Sequence, residues 1–365
     1  MDMQLKGKNT DFRRRFEMTV PVVLAPMGGG PSTPELAAAV CNAGGLGSLA
    51  AAYSTPEQIE QEIARVRELT KRPFAVNLFS PQAQLPMNDG LKQVADFLRP
   101  YHERLGLKPP ELPQKPIQNF DDQLDAVCKA APPIVSFTFG LLPPQAAERL
   151  KSQPTYLIGT ATTVEEAHQL EQAGVDAVIA QGSEAGAHRG TFALPAEDAL
   201  IGTIALVPQV ADAVDIPVIA SGGIMDGRGI VAALALGACA VQMGTAFLAC
   251  KEAGTSAPYR AALAKAREDQ TTLTRAFSGR MARGLRNEFI DQWNAAGVPH
   301  LPYPWQNAFT QQMRRAAAAA NQPGMLSLWA GQGLRMLREG TAEQLMSELK
   351  DEMDRTFANL KDQIR

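Results

Sequence analysis

Short apolar runs alternate with amphipathic segments over about the first 250 residues, and few folds accept that pattern. The runs are "VVLAP", "LGSLAA", "PFAVNLF", "PIVSFTFG", "TYLIGTA", "VDAVIAQG", "IPVIASGG" and "CAVQMGT". A strand apolar at successive positions must be covered on both faces, which is the situation of a parallel sheet flanked by helices. The intervening segments carry helix start and stop signals. Thr33 before Pro34, or Ser32 with Glu35, can cap the first, and Gly44 and Gly45 end it. "TPEQIEQEIARVRELT" repeats the Thr-Pro start. Eight such units closing on themselves make an α/β fold of the (β/α)8 TIM-barrel type. An open doubly wound sheet is the alternative.

Two segments depart from the alternation. Residues about 80–120 are rich in Pro and polar residues and read as an insertion after strand 3, with one helix. From about Ala253 the pattern turns mostly helical, in "APYRAALAKARED", "MRRAAAAA" and "TAEQLMSELKDEMDRTFANL". The expected division is therefore a barrel over 1–252 and a mostly helical addition over 253–365 that packs near the barrel mouth.

Composition removes several function classes. Net charge is −3 and no basic tract appears, so nucleic acid is not an expected partner. Ile230–Cys250 carries no charge, but it is Ala-rich, and Gly237 and Gly244 break it. It reads as a buried helix–turn–strand unit and not as a membrane span. The N-terminus has basic residues with no apolar stretch behind them, unlike a secretory signal. The four cysteines, Cys41, Cys128, Cys239 and Cys250, show no CxxC or metal-ligand spacing. Reduced, buried thiols in a cytoplasmic protein with no metal site are expected. The sequence leaves homo-oligomerisation open.

In a parallel barrel the loops after the strand C-termini build the site. Here those loops are unusually rich in glycine. They are "PMGGG" (Pro26–Gly30), "GSEAGAHRG" after Gln181, "SGGIMDG" (Ser221–Gly227) and "QMGT" (Gln242–Thr245). Asn77 lies in the third strand. Gly222, Gly223, Gly244 and Thr245 can present backbone N–H groups to a phosphate, aided by the helix N-termini that follow. Gly28 and Gly29 let backbone lie close to a flat ring. The Asn77 and Gln181 amides suit a ring edge of mixed donors and acceptors. No Walker motif or GxGxxG follows the first strand, so a dinucleotide site is not indicated.

These stretches, together with "PMGGGPSTPELAAAVCNAGGLGSLA" and "IPVIASGGIMDGRGIVAALALGACAVQMGTAFLA", resemble the nitronate monooxygenase family, formerly 2-nitropropane dioxygenases. The likeness spans about residues 20–250, and "GRMARGLRN" and "WAGQG" extend it more weakly. FMN-dependent enoyl-acyl-carrier-protein reductases share much of the motif set. The resemblance implies non-covalent FMN in a TIM barrel. It implies oxidation of an alkyl nitronate, such as propionate 3-nitronate, by O2 to a carbonyl compound and nitrite. It assigns the FMN contacts to Met27, Gly28, Asn77, Gln181, Gly186, Gly223, Gln242, Met243, Gly244 and Thr245, to which the phosphate reading of the loop adds Gly222. Where the family more often has a second glycine before the histidine, this chain has Ala187.

His188 is the expected catalytic residue. Its imidazole can take a proton from a neutral nitroalkane or, as the favoured role, hold an anionic nitronate by a charge-assisted hydrogen bond. The plainer alternative is a loop brace. Arg189 and Glu184 are expected to brace the loop, and Asp226 to cap the next helix. His102, His168 and His300 are read as ordinary. Ser278, Arg280, Arg283 and Asn287 are the C-terminal candidates to reach the mouth, and "PYPWQN" is read as core. Two other functions remain: an FMN-dependent NAD(P)H reductase of an enoyl thioester or quinone, and a non-redox barrel for a phosphate ligand.

Overall fold

The computed structural model describes residues 11–82 and 90–363. Residues 1–10, on which the leader reading bears, and 83–89 of the expected insertion lie outside them.

Eight parallel strands form one sheet: β1 (Val22–Leu24), β2 (Gly47–Ala50), β3 (Phe74–Phe79), β4 (Ile134–Thr138), β5 (Tyr156–Ala161), β6 (Ala177–Gln181), β8 (Val218–Ser221) and β9 (Ala240–Met243). Their order is β1-β9-β8-β6-β5-β4-β3-β2. The two edges meet. Leu24 N donates to Leu46 O at 2.8 Å and Leu46 N to Val22 O at 2.9 Å, which closes the barrel. The TIM-barrel reading therefore stands over the open sheet. Val23, Ala75, Ile158, Ile179 and Ile219 fill the interior, and Phe12 and Phe16 pack with Tyr156 in the same cluster. A second apolar layer lies between sheet and helices.

The helices begin where the sequence signals place them. Thr33 accepts from Leu36 N, and Thr55 forms a capping box with Gln58. Asp226 accepts from the N–H groups of Arg228 and Gly229 and starts the helix Gly227–Ala235. The uncharged run over 230–250 divides into that helix, β9 and a short 3-10 turn, Thr245–Phe247. Among the described residues no helix is long and apolar enough to cross a membrane.

The chain after residue 252 divides in two. Its first part is not purely helical. β10 (Thr271–Thr274) and β11 (Ala282–Leu285) pair antiparallel, and β11 also pairs with β7 (Ala187–His188) from the loop after β6. Helices Glu288–Ala296 and Trp305–Ala319 join them in a separate core. Leu91–Arg104, the one helix of the insertion among the described residues, contributes Val94, Leu98 and Tyr101 to that core. The last helix, Ala342–Gln363, goes elsewhere. It packs against Gly227–Ala235 and Pro34–Asn42, and sends Leu345, Met346 and Leu349 into the barrel's own core. It takes the place of the eighth barrel helix, which β9 lacks directly after it.

Candidate active site

A cavity of about 680 Å³ opens at the C-terminal ends of the strands. Every residue expected at the cofactor and at catalysis lines it: Met27, Gly28, Asn77, Gln181, Gly186, His188, Gly222, Gly223, Gln242, Met243, Gly244 and Thr245. Strand register brings the amides together. Gln181 is level with Ser221, and Ser221 with Gln242, across three adjacent strands. Asn77 is level with Ser136, to whose hydroxyl it donates at 3.0 Å.

Gln181 does more than face the cavity. Its Nε2 donates to His188 O at 3.1 Å, and its Oε1 accepts from Gly190 N at 2.8 Å. One side chain thereby pins both sides of Arg189. Arg189 is fully buried and donates to the carbonyls of Gly182 (2.6 Å), Gln181 (3.0 Å) and Ala199 (3.1 Å). Glu184 accepts from Thr203 N and Thr203 Oγ1, each at 2.9 Å. Both brace the loop, each on its own partners.

His188 sits in a strand. It is level with Ala282 of β11, and Arg189 N donates to Met281 O at 2.9 Å. Its Nε2 lies 2.9 Å from Ser278 Oγ, which in turn donates to Arg280 O at 2.9 Å. The ring stands edge-on or tilted to Phe139, Tyr303 and Trp329, with centroids 5.7, 5.9 and 5.7 Å away. Burial, then the charges of Arg280 and Arg314, lower its pKa to about 3. The imidazole is therefore neutral at pH 7. The favoured expectation of a cationic anchor meets an apolar, cation-flanked bed that disfavours a second positive charge in the empty cavity.

Ala187 has φ of 62°, the left-handed region that a glycine would occupy without strain. Replacing Ala187 with Gly is expected to raise stability by roughly 1 kcal/mol, read as a higher unfolding midpoint. An unchanged or lower midpoint would show that β7 holds Ala187 without strain.

Gly222 and Gly223 have φ of 123° and 70°, which turns their backbone sharply after β8. The helix that follows is not free to help. Its first amides already serve Asp226 and Glu352: Gly227 N donates to Glu352 Oε2 at 2.9 Å. The expected contribution of that helix N-terminus to a phosphate is thus withdrawn, which leaves the loop amides and the turn at Thr245. Gly186 is fixed by contact: a Cβ there would lie 2.6 Å from Ala330 C and Gly331 N.

The C-terminal candidates separate. Ser278 touches His188. Arg280 stacks on Phe139, 3.9 Å from the ring centre, and donates to Thr191 O. Arg283 donates to Ser183 O at 3.0 Å, bracing the loop from outside. Asn287 caps the helix Glu288–Ala296. "PYPWQN" is not plain core, because Tyr303 stands beside His188 and Asn307 lines the cavity. Trp329 and Arg314 also line it and had no signal in the strand-end pattern, while Tyr53 and Phe139, just after the strands in "LGSLAA" and "PIVSFTFG", were not singled out there. Only "WAGQG" pointed to Trp329.

The family described as nitronate monooxygenase matches residues 11–352. A probable nitronate monooxygenase of Staphylococcus saprophyticus is 44% identical over 331 residues, covering 90% of this chain and 93% of its own. The nitroalkane oxidase of Streptomyces ansochromogenes superposes with a TM-score of 0.88 at 44% identity, covering 94% of this chain and 98% of that one. FabK from Thermotoga maritima superposes with a TM-score of 0.75 at 30% identity, covering 97% and 98%. The chain is an oxidoreductase of nitro compounds and belongs to the nitronate monooxygenase family.

Proposed function

We propose that the protein binds one FMN in this cavity and oxidises alkyl nitronates, propionate 3-nitronate among them, with O2 to a carbonyl compound and nitrite. The observation that carries the reading is His188, held among aromatic rings, on the wall of the same cavity as the amides Asn77, Gln181 and Gln242 and the glycine loops. The volume falls within the range of about 300–1,000 Å³ usual for cofactor sites.

The chain's residues divide the work. Asn77, Gln181 and Gln242 offer neutral donors and acceptors to a ring edge. Gly222, Gly223, Gly244 and Thr245 offer backbone N–H groups to one phosphate. Met27 and Gly28, on the cavity wall, would lie against the ring. When bound, FMN would supply electron transfer from the nitronate to O2. His188 takes the proton of a neutral nitroalkane, and the aromatic rings around it keep water from the reacting carbon. The substrate is a small molecule.

The test is the released cofactor. Heat denaturation is expected to free FMN, identified by mass, and not FAD, because the cavity has one glycine-rich phosphate end. Anaerobic addition of a nitronate is expected to bleach the flavin absorbance, and NADH to do so slowly or not at all. Recovery of FAD, or faster bleaching by NADH than by any nitronate, would favour the reductase reading that the likeness to FabK keeps open.

A further inference from the structure

Tyr53 is a cavity-wall hydroxyl that the reading so far leaves without a task. It ends the 3-10 turn Ala51–Tyr53, directly after β2. That turn is clamped. The buried Gln123 side chain donates to Ala51 O at 3.0 Å, Ala52 O at 3.3 Å and Ser54 O at 2.9 Å. The Tyr53 ring rests on the backbone of Gly28, where a Cβ would lie 3.1 Å from its Cδ2 and Cε2. It stands edge-on to Phe79, with centroids 5.6 Å apart. Phe79 meets Tyr303, and Tyr303 meets His188 at 5.9 Å. Tyr53 and His188 therefore face one cavity from the two ends of a single aromatic row.

The hydroxyl of Tyr303 is buried and has no partner in good hydrogen-bond geometry among the described residues. The group it interacts with is the Tyr53 hydroxyl. Burial raises the pKa of both phenols. At Tyr53 the contact with Tyr303 and the charge of Arg314 oppose the rise. At Tyr303 the charge and contact of Tyr53 add to it, and only Arg280 opposes. Both stay protonated at neutral pH, and Tyr53 is the partner placed to accept. Its own hydrogen meets no other acceptor among the described residues, so it is free to turn into the cavity. His188 is a weak base in its bed. Removing a proton from carbon then needs help where the charge collects, which in a nitroalkane is on the nitro oxygens.

We propose that Tyr53 is a second catalytic residue, whose hydroxyl, backed by Tyr303, donates a hydrogen bond to a nitro oxygen while His188 takes the proton from the adjacent carbon. This rests on the nitronate reading above and deepens it. The carbon–hydrogen bond breaks, its proton goes to His188, and its electron pair moves onto the nitro group. Nothing is oxidised in this step, and Tyr53 keeps its proton. Tyr303 is a positioning residue that acts only through Tyr53.

The test uses the flavin-loaded, full-length protein with nitroethane and with pre-formed ethyl nitronate. In Tyr53→Phe, which keeps the ring on Gly28, kcat/KM for nitroethane is expected to fall about 10- to 100-fold, the worth of a hydrogen bond to a charged group. For ethyl nitronate, already an anion, KM is expected to rise and kcat to stay the same. Tyr303→Phe is expected to lose about 2- to 10-fold on nitroethane, and the double variant no more than Tyr53→Phe alone. A further readout needs no turnover. Nitrate, an unreactive planar oxyanion of nitrogen, is expected to raise the unfolding midpoint of the parent protein beyond what chloride does, and to do so less in Tyr53→Phe. Nitroethane kinetics of Tyr53→Phe within twofold of the parent, losses that add in the double variant, or equal nitrate shifts in parent and variant would overturn the proposal. If Tyr53→Phe does not fold, an undiminished rate in Tyr303→Phe overturns it. If the parent oxidises neither substrate, the nitronate reading fails, and the nitrate comparison still decides whether Tyr53 donates to an oxyanion.

Discussion

Replacing His188 with Asn is expected to leave FMN bound and to lower turnover of a neutral nitroalkane by about 10²–10⁴-fold, or about 3–5 kcal/mol of barrier. The proposed cofactor contacts lie elsewhere, on Asn77, Gln181, Gly223 and Gln242–Thr245, so the substitution removes the imidazole and little else. What the imidazole supplies follows from its surroundings. Ser278 Oγ has one hydrogen, and the Arg280 carbonyl takes it at 2.9 Å. The 2.9 Å contact to His188 Nε2 is then best filled by an N–H donated from the ring. Nδ1 remains as the lone-pair nitrogen. A neutral ring with a free lone pair is a proton acceptor and a poor anchor for an anion.

The two substrate forms separate the roles. A base is needed only for the neutral nitroalkane, so His188→Asn should spare most turnover on a pre-formed nitronate. Burial and the charges of Arg280 and Arg314 lower the pKa, which keeps the free ring unprotonated through the neutral range but also weakens it as a base. An arriving anion moves it up, not down. Equal losses on both forms, with KM raised for the anion, would restore the cationic role. Full cofactor occupancy with near-normal rates on both forms would reduce His188 to a brace of β7.

Much of this fold is legible in the chain because parallel barrel strands are buried on both faces. "VDAVIAQG" or "IPVIASGG" has no polar alternation to suggest anything else, and Thr33, Thr55 and Asp226 mark helix starts by a local hydrogen bond. The strand ends then locate the site with no further knowledge. What the sequence hides is partnership at long range. β7 is two residues long and shows no period. It exists because β11, some 90 residues later, pairs with it. The amphipathic face of Ala342–Gln363 says that something covers it, but not that the first and seventh barrel helices do. Arg314 is hidden in an alanine-rich run, and only the fold turns it towards the cavity. Glu352 was equally invisible as the group that occupies the first amide of Gly227–Ala235.

Glu166→Gln is expected to destabilise the protein by about 2–4 kcal/mol near neutral pH, and in doing so to loosen His188. Glu166 is fully buried in the helix Val164–Gln172. Its Oε2 accepts from Thr162 N at 2.6 Å and Thr162 Oγ1 at 2.7 Å. Its Oε1 accepts from Thr191 Oγ1 at 2.7 Å, Phe192 N at 2.6 Å and Ala193 N at 3.0 Å. The second set ties down the chain just beyond His188 and Arg189. Burial alone would raise the carboxyl's pKa, but the donors at Ala193, Phe192, Thr191 and Thr162 outweigh it and lower it. A glutamine keeps the shape but turns one oxygen into an N–H donor, which then faces N–H groups and strands at least one of them. The sign of the pH dependence follows from the lowered pKa. The carboxylate's contribution is fully present above the unfolded value of about 4.3 and is lost as pH falls through the folded value. The gap in stability between the parent protein and Glu166→Gln should therefore be widest near neutral pH and shrink in acid. Below the stability change, kcat on a neutral nitroalkane should fall further than kcat on a pre-formed nitronate, because the displaced element is the one that aligns His188. Coincident unfolding curves at neutral pH would show that the five contacts are replaceable, and a gap that widens in acid would show that Glu166 is buried in its protonated form.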